Sequence, residues 1–330
     1  MSTESNGKWT AEDIPDQSGR TALVTGANSG LGLQTASALA GAGARVLMGC
    51  RNAAKAGEAR SRILADHPGA EVEIVALDLS DLAAVERAAV EVSGGVEALD
   101  LLVNNAGVMA TPRRETADGF ELQFGTNHLG HFALTGRLID KLLAADSPRV
   151  VSVSSMAHRI GRMNWDDLNS DDGYSRWPAY GQSKLANLLF TQELARRAEA
   201  AGTNLIAAAS HPGYASTNLQ TSGPTMGRFG VLLTPVWKAS NLFFGQSDAN
   251  GALPSLYAAT APGVEGNDYF GPDGIGEQRG HPTRVGRTGR AANPRHAKRL
   301  WERSEELTGV GYGPLDAAVA DEETAEVEAS

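Results

Sequence analysis

The stretch TGANSGLG, residues 25–32, joins the apolar run RTALVT to a helix-like run that begins LQTASALA. Three glycines, Gly26, Gly30 and Gly32, allow the backbone of such a turn to approach a ligand closely. The start of the helix adds unpaired N–H groups and a partial positive charge. A glycine-rich turn alone is a weak signal, but its place between the first strand and the first helix of an alternating chain predicts a pyrophosphate site.

On both sides of this turn, short β-branched or apolar runs alternate with helix-like stretches of ten or more residues. Strands of nearly continuous apolar character, separated by helices, are typical of a parallel sheet covered on both faces. We therefore predict a single α/β domain with a doubly wound parallel sheet, Rossmann-like in organisation. The predicted strands are 20–25, 44–50, 71–78, 99–105, 149–155, 203–210 and 267–271.

The composition indicates a globular protein with acidic ends. The chain has 330 residues, of which 42% are hydrophobic and 21% charged, and its formal charge is −10. Residues 1–18 contribute −3 and residues 314–330 contribute −6, so the body between them is near neutral at −1. We predict an N-terminal extension over 1–18, one domain over 19–313 and an acidic, disordered tail over 314–330. This distribution does not indicate a nucleic-acid-binding surface.

A single cysteine, Cys50, excludes an internal disulfide and a cysteine-based zinc cluster, and it favours a reducing compartment. The N-terminal residues lack the apolar stretch of a signal peptide, and no run reaches the roughly eighteen apolar residues of a membrane span. We therefore predict a cytoplasmic protein without a membrane span. His128 and His131 lie close together on a predicted helix, but no third ligand at suitable spacing accompanies them, so we predict no metal site.

The end of the second predicted strand, MGCRN, bears on the choice of cofactor. In a dinucleotide-binding fold, an acidic side chain at this point binds the ribose hydroxyls of NAD. Cys50 stands there instead, followed by Arg51, whose guanidinium can bind a 2′-phosphate with two hydrogen bonds. Lys55, one helical turn later, can assist. The pattern favours NADP(H), and NAD(H) stays open because Arg51 also fits an ordinary surface residue at the start of a helix.

Six motifs follow one another along the body: TGANSGLG, NNAG at 104–107, TNHLG, VSVSS, YGQSK and HPG. Together they resemble the short-chain dehydrogenase/reductase family. The stretches CRN, SSMAH and SHPG are most similar to its retinol-dehydrogenase-like branch, whose relatives include WW-domain-containing oxidoreductases and protochlorophyllide reductases. The resemblance implies an NAD(P)-dependent oxidoreductase that transfers a hydride between the nicotinamide and a small-molecule carbonyl/alcohol substrate.

Tyr180 and Lys184, in YGQSK, lie one turn apart on one face of a predicted helix. Reduction of a ketone or aldehyde needs a proton at the carbonyl oxygen, and a free tyrosine, with a pKa of about 10, is a weak acid for neutral pH. A nearby ammonium favours the phenolate and lowers that pKa. We predict that Tyr180 is the acid in reduction and the base in oxidation. The resemblance implies that Lys184 also binds the nicotinamide ribose.

The same resemblance implies two further catalytic residues. Ser155, in VSVSS, matches the family's substrate-orienting serine, and Ser154 is its rival because neighbouring strand residues face opposite ways. Asn127, in TNHLG, matches the asparagine whose backbone holds a water that links the lysine to solvent. The predicted catalytic set is Asn127, Ser155, Tyr180 and Lys184.

The resemblance also extends the predicted cofactor site. Asp78 and Leu79 match the adenine contacts, although Asp78 also fits a helix cap, and HPGYAST matches the contacts to the nicotinamide carboxamide. His211, in that last motif, is interpreted as a structural hydrogen-bonding residue. The predicted cofactor-binding residues are Gly26, Asn28, Ser29, Gly30, Leu31, Gly32, Arg51, Lys55, Asp78, Leu79, Asn105, Ala106, Gly107, Tyr180, Lys184, Pro212, Gly213 and Thr217.

Two stretches that follow strand ends are candidates for the substrate side: the 24 residues between Ser155 and Tyr180, and an apolar segment over 228–246. Because ligands bind at the carboxyl ends of the strands in such folds, the apolar segment predicts a lid over an apolar substrate. An amphipathic helix that fills a core gap is an equal alternative.

Two other functions stay open on the same residues. One is NADPH-dependent reduction of a carbon–carbon double bond, in the manner of protochlorophyllide reductases, and the other is a non-catalytic NADP-binding redox sensor, against which the Tyr-Lys pair argues. Relatives pair through the long helices around Asn127 and Tyr180, which leaves a homodimer or homotetramer open. The extended C-terminal region from Glu277 onward is the alternative cover for that helix surface.

Overall fold

The computed structural model describes residues 8–213 and 247–318. Eight strands form its sheet: β1 (Thr21–Thr25), β2 (Arg45–Cys50), β3 (Val72–Ala76), β4 (Leu101–Asn104), β5 (Arg149–Val153), β6 (Ile206–Ser210), β7 (Tyr269–Pro272) and β8 (Pro282–Arg284). Their order is β3-β2-β1-β4-β5-β6-β7-β8. Neighbouring strands are parallel except for the antiparallel pair β7 and β8.

Helices follow most of the strands: α1 (Gly30–Gly41), α2 (Ala53–Asp66), α3 (Leu82–Gly95), α4 (Leu122–Phe124), α5 (Gly130–Arg137), α6 (Ile139–Leu143), α7 (Arg176–Ala200), α8 (Asp248–Thr260) and α9 (Pro294–Thr308). A π-helical turn, Gly125–Leu129, joins α4 to α5. Short 3₁₀ turns are formed by Ala11–Asp13, Met156–Arg159 and Ile275–Glu277.

The predicted doubly wound parallel sheet is confirmed. Each of the seven predicted strands overlaps an observed one. The short strand β8 was not predicted, because its three residues, one half-buried and two exposed, lack the apolar character by which the other strands were found. The strand order reverses between β1 and β4, which opens a crevice at the carboxyl ends of these two strands.

Alternate residues of the central strands face two separate cores. Leu23 and Leu102 pack in a cluster with side chains of α3, α5 and α7, and Val24 and Val103 pack in a cluster with side chains of α1, α2 and α8. The period of two along each strand thus explains why both faces need apolar residues. The two layers of helices hold the strand ends, and with them the crevice, in a fixed position.

The helix α9 covers the face of α7 and of the π-helical turn. Trp301, on α9, is 1% exposed and lies 5.1 Å from the ring of Phe132, 5.8 Å from that of Phe190 and 4.3 Å from that of Tyr312, between ring centroids. The Arg197 guanidinium lies 4.4 Å from the same indole. The C-terminal region therefore occupies a helix face that the sequence left open for pairing between copies.

The ordered body extends across both predicted domain boundaries. Trp9 packs edge-on against Tyr257, at 5.2 Å between ring centroids, although it lies in the predicted extension. Leu315 is fully buried and Asp316 accepts a 2.6 Å hydrogen bond from Arg197, although both lie in the predicted tail. The packing of Trp9 and the burial of Leu315 attach the two ends of the chain to the domain. Residues 319–330, Thr217 and the predicted lid over 228–246 lie outside the described residues.

Within 8–213 and 247–318, none of the helices combines the length and the apolar character that crossing a bilayer requires.

Replacement of Trp301 by alanine is expected to destabilise the fold. The side chain fills the space between α7, α9 and Tyr312, so its loss should lower the free energy of unfolding by about 3–5 kcal/mol. Chemical denaturation measures this change. The control is Val90→Ala, whose side chain is 68% exposed and should alter stability by no more than about 0.5 kcal/mol. A loss at Trp301 as small as the control would contradict this packing.

Candidate active site

The glycine-rich turn after β1 has the backbone geometry that only glycine adopts easily. Gly26 and Gly30 have φ values of 68° and 55°. A Cβ atom at Gly32 would lie 2.4 Å from the backbone oxygen of Gly26 and 2.5 Å from the Asn105 side-chain nitrogen. Ser29 is the N-cap of α1, yet its side chain makes no capping hydrogen bond. The N–H groups at the start of α1 are thus left without that cap, as anion binding requires.

Thr25 joins the ends of β1 and β4. Its hydroxyl oxygen accepts hydrogen bonds from the backbone nitrogens of Asn105 and Ala106, each at 2.9 Å, and its backbone oxygen accepts one from Asn105 Nδ2 at 2.8 Å. These bonds place the NNAG motif directly beside the glycine-rich turn. The two predicted cofactor motifs therefore share one wall of the crevice.

A cavity of about 340 Å³ lies along this wall. Thirteen of the predicted cofactor residues line it: Gly26, Asn28, Ser29, Gly30, Leu31, Gly32, Arg51, Lys55, Asp78, Leu79, Asn105, Ala106 and Gly107. The lining also contains Gly49, Asn52, Leu77, Val108 and Thr126, which the sequence analysis missed. Each of these five lies within three residues of a predicted site residue, so extension from the strand ends would have found them.

The lining residues that follow β2 include two cations, Arg51 and Lys55, and no carboxylate. Arg51 is exposed, and its Nη1 lies 3.7 Å from Asp78 Oδ2. Asn52 caps α2 by accepting a 2.9 Å hydrogen bond from the backbone nitrogen of Lys55. Cys50 is 2% exposed, and burial raises the pKa of its thiol to about 11. The residue in the usual position of an acidic ribose ligand is therefore neutral at pH 7.

The end of β5 separates the two rival serines. Ser154 Oγ donates a 2.8 Å hydrogen bond to the backbone oxygen of Lys184 and is buried against α7. Ser155 Oγ accepts a 3.1 Å hydrogen bond from the backbone nitrogen of Ala157, and its side chain is near enough to Tyr180 to offset part of the rise that burial causes in the pKa of the phenol. The structure thus brings Ser155, and not Ser154, to the phenol.

Lys184 and Asn127 are the other two residues of the predicted catalytic set. Lys184 Nζ is 5.9 Å from the centre of the Tyr180 ring and donates a 2.9 Å hydrogen bond to the backbone oxygen of Val153. Asn127 Nδ2 donates to Ser183 Oγ and to the backbone oxygen of Val108, each at 2.9 Å. Asn127 thereby connects the loop after β4 to α7.

Gly107 lies where the cavity approaches these side chains. A Cβ atom at this position would lie 3.0 Å from Asn127 Oδ1 and 3.6 Å from Lys184 Nζ. Of the other predicted contacts on the nicotinamide side, Gly213 has a φ of 66°, which favours glycine. Pro212 and Gly213 follow β6, outside the lining of the cavity.

Burial dominates the acid–base properties of the tyrosine–lysine pair. Tyr180 is 7% exposed and Lys184 is 4% exposed. Burial raises the pKa of Tyr180 to about 12, against the opposing effect of its hydrogen bond with Ser155, and burial lowers the pKa of Lys184 to about 8. The expected lowering of the Tyr180 pKa by Lys184 is not seen among the protein's own groups. Loss of water disfavours both charged forms, and Nζ bonds to a backbone oxygen.

The two neighbouring histidines have structural partners. His131 Nδ1 lies 3.0 Å from the backbone oxygen of Asn127, so it carries the ring proton, and Nε2 accepts a hydrogen bond from the Thr25 hydroxyl at 2.9 Å. His128 Nε2 lies 2.8 Å from Ser304 Oγ. Burial lowers the pKa of His131 to about 4 and that of His128 to about 3, so both rings are neutral. The described part of the chain contains no cluster of three His, Cys, Asp or Glu residues suited to a metal ion.

Comparison with known proteins identifies the family to which this chain belongs. The family model described as short chain dehydrogenase matches residues 20–226. The chain belongs to the short-chain dehydrogenase family. Human retinol dehydrogenase 14 is 40% identical to it over 310 residues, which cover 88% of this chain and 87% of that protein. Mouse retinol dehydrogenase 12 is 40% identical over 296 residues, covering 89% of this chain and 88% of that protein.

Solved structures share the fold of this chain. An uncharacterized protein from Mycobacterium paratuberculosis superposes with a TM-score of 0.76 at 45% identity, covering 93% of this chain and 99% of that one. A candidate NAD(P)-dependent gluconate 5-dehydrogenase from Beutenbergia cavernae, with NADP bound at low occupancy, superposes with a TM-score of 0.57 at 29% identity, covering 76% and 93%. The predicted family and the predicted class of NAD(P)-dependent oxidoreductase acting on alcohol and carbonyl groups are confirmed.

Replacement of Gly32 by alanine in this short-chain dehydrogenase is expected to weaken dinucleotide binding. The new Cβ would overlap the backbone of Gly26, so the turn would have to shift away from the pyrophosphate position. A fluorescence titration with NADPH should show the dissociation constant rising roughly tenfold or more. Gly57→Ala is the matched control, because a Cβ there meets no atom within 4 Å. Equal affinities for the two variants would contradict the predicted pyrophosphate site.

Proposed function

We propose that the protein is an NADP(H)-dependent oxidoreductase that transfers a hydride between the nicotinamide and a carbonyl/alcohol pair on an apolar substrate. One observation carries this proposal: Tyr180, whose pKa burial raises and the Ser155 side chain partly lowers, lies beside Lys184, and Gly107 connects Lys184 to the cavity along the glycine-rich turn. A proton donor, an orienting hydroxyl and a cofactor groove thus converge at the carboxyl ends of the central strands.

The residues present fit a nicotinamide dinucleotide. The glycine-rich turn has space only for hydrogen at Gly32, and Gly107 approaches Lys184 too closely for a bulky side chain. Both glycines pack this closely against the protein's own atoms while they line the cavity. When bound, the nicotinamide would supply or accept the hydride, and its oxidised form would add a positive charge that lowers the pKa of Tyr180.

Tyr180 acts as the proton donor in the direction of carbonyl reduction. Its pKa of about 12 keeps the hydroxyl protonated at neutral pH, so it can give a proton to an oxygen on which negative charge develops. The Ser155 hydroxyl donates a second hydrogen bond to the same oxygen and stabilises that charge. Lys184 adds positive charge near the phenolate left behind, and Asn127 holds α7 in place through Ser183.

The charges at the end of β2 support NADP(H) over NAD(H). A 2′-phosphate near Arg51 and Lys55 would meet two cations, and the neutral thiol of Cys50 adds no repulsion. An acidic residue at the Cys50 position would favour the free ribose hydroxyls of NAD instead. The free thiol also fits a reducing compartment, and we include a cytoplasmic location in the proposal.

Exposed apolar side chains on α7 and on the segment packed against it support an apolar substrate. Trp177 is 41% exposed and lies edge-on to Tyr180, with 6.1 Å between the ring centroids. Ile160 is 58% exposed and precedes Gly161, whose Cα would lie 3.1 Å from a Cβ at Gly181. An apolar ligand would remove both surfaces from water.

The helix α9 covers one face of α7. This cover supports a chain that does not form a dimer or tetramer through that face of α7.

Tyr180→Phe is the variant that tests the proposed reaction. NADPH consumption is measured over aldehydes, ketones, quinones and enones for the native chain and the variant. The native chain should reduce at least one carbonyl compound, and the variant should lose roughly 10²–10⁴-fold in kcat because the proton donor is gone. The dissociation constant for NADPH serves as the control and should stay close to the native value.

The outcomes separate the alternatives. Turnover confined to the double bond of enones would contradict carbonyl reduction and favour a double-bond reductase. Tight NADPH binding with no turnover of any compound would favour the redox sensor.

Arg51→Ala tests the choice of cofactor. Loss of the guanidinium should raise KM for NADPH by roughly tenfold and leave KM for NADH nearly unchanged, since only NADPH carries the 2′-phosphate. Arg62→Ala, which removes an equal charge from an exposed position on α2, is the matched control. An equal effect of Arg51→Ala on both cofactors would show that the guanidinium does not bind the 2′-phosphate.

A further inference from the structure

The 3₁₀ turn after β7 holds a glutamate in an unfavourable backbone conformation. Glu277 has a φ of 57°, in the left-handed region that favours glycine, and it follows Gly276 at 65°. Its exposed neighbour Ile275 provides no apolar contact that would hold the turn in place. A non-glycine residue persists in this region only when its surroundings fix it, and such residues cluster at functional sites.

The Glu277 carboxylate bridges two segments that are far apart in the sequence. Oε1 accepts a 2.7 Å hydrogen bond from Arg159 Nη2, and Oε2 lies 3.1 Å from His211 Nε2. The His211 side chain is fully buried, and the Glu277 side chain is 24% exposed. Each carboxylate oxygen thus faces a different nitrogen.

The Arg159 side of this bridge leads to the orienting serine. Arg159 ends the 3₁₀ turn Met156–Arg159, and Ser155 is the N-cap of that turn. The His158 ring adds a 2.7 Å hydrogen bond from Nδ1 to the backbone oxygen of Ser155. These hydrogen bonds connect Arg159 to Ser155 through one short turn. A displacement of Arg159 therefore also displaces the Ser155 hydroxyl next to Tyr180.

The His211 side leads to the chain after β6. His211 Nδ1 accepts a 3.2 Å hydrogen bond from the backbone nitrogen of Gly213, so the neutral ring carries its proton on Nε2, which lies 3.1 Å from Glu277 Oε2 in a polar contact without hydrogen-bond geometry. A Cβ atom at Gly213 would lie 2.4 Å from the backbone oxygen of Gln278. The turn that carries Glu277 therefore packs directly on Gly213, a predicted contact of the nicotinamide carboxamide.

We infer that Glu277 is a positioning residue that ties the turn after Ser155 to the strand end at His211 and Gly213. This inference rests on the proposed function, because its consequence is the placement of Ser155 and of the nicotinamide side of the site. Glu277 touches neither substrate nor reacting atoms. It acts through Arg159 and His211, next to the Tyr269 ring, which packs against both His158 and His211.

Glu277→Gly separates positioning from fold stability. Glycine relieves the unfavourable φ, so the melting temperature should stay equal to the native value or rise, while the bridge is lost. Hydrogen–deuterium exchange should become roughly fivefold faster in peptides covering 154–162. The kcat for carbonyl reduction should fall roughly tenfold, because the Ser155 hydroxyl is less well placed. Glu277→Gln keeps the size of the side chain and the unfavourable φ but removes the charge. It should also speed exchange over 154–162 and lower kcat.

Ile275→Ser is the matched control, since it alters the same turn at a side chain that is 98% exposed, and it should behave as the native chain. Exchange that changes only within 273–281, or not at all, would overturn the inference. Faster exchange over 154–162 with native kcat would overturn it as well. If the native chain turns over no carbonyl compound, the proposed function fails, and the exchange measurement alone then decides whether Glu277 holds the Ser155 turn.

Discussion

The hydroxyl group of Thr25 is the point on which the geometry of the site depends. It accepts hydrogen bonds from the backbone of Asn105 and Ala106 and donates one to His131. His131 in turn donates to the backbone oxygen of Asn127. One buried side chain thus connects the glycine-rich turn, the NNAG motif and the helical segment that carries a predicted catalytic residue. Because these partners lie just after β4 and near the start of α5, the bonds fix distances that sheet pairing alone would leave free.

Burial gives this site its chemical character. Tyr180 and Lys184 are both removed from water, and burial raises the pKa of the phenol and lowers that of the ammonium, which stays largely protonated at pH 7. A neutral phenol is the form that donates a proton, so the protein's own environment prepares the reductive direction. The oxidative direction needs the phenolate, for which the charge of an oxidised cofactor is the natural source. Under the proposed function, the direction of the proton transfer would thus be linked to the redox state of the bound cofactor.

Local sequence patterns predicted the sheet, the glycine-rich turn and the residues that line the cavity, because strand ends in this fold meet at one edge. They did not predict the strand β8, whose three residues have no apolar period. The roles of Thr25 and Glu277 depend on partners that lie far away along the chain, and no spacing rule reveals such contacts. The pKa of Tyr180 was expected to fall because the spacing places a lysine one helical turn away. The spacing does not show how deeply both side chains are buried, and burial raises this pKa.

The cover formed by α9 has a consequence for biosynthesis. Trp301 and Tyr312 complete the packing of α7, the helix on which Tyr180 and Lys184 lie. During translation these two aromatic side chains emerge from the ribosome well after the glycine-rich turn and the central strands. The groove can therefore assemble on the nascent chain while α7 still exposes an apolar face. Until the last part of the domain is released, that face is a target for chaperones and for neighbouring chains.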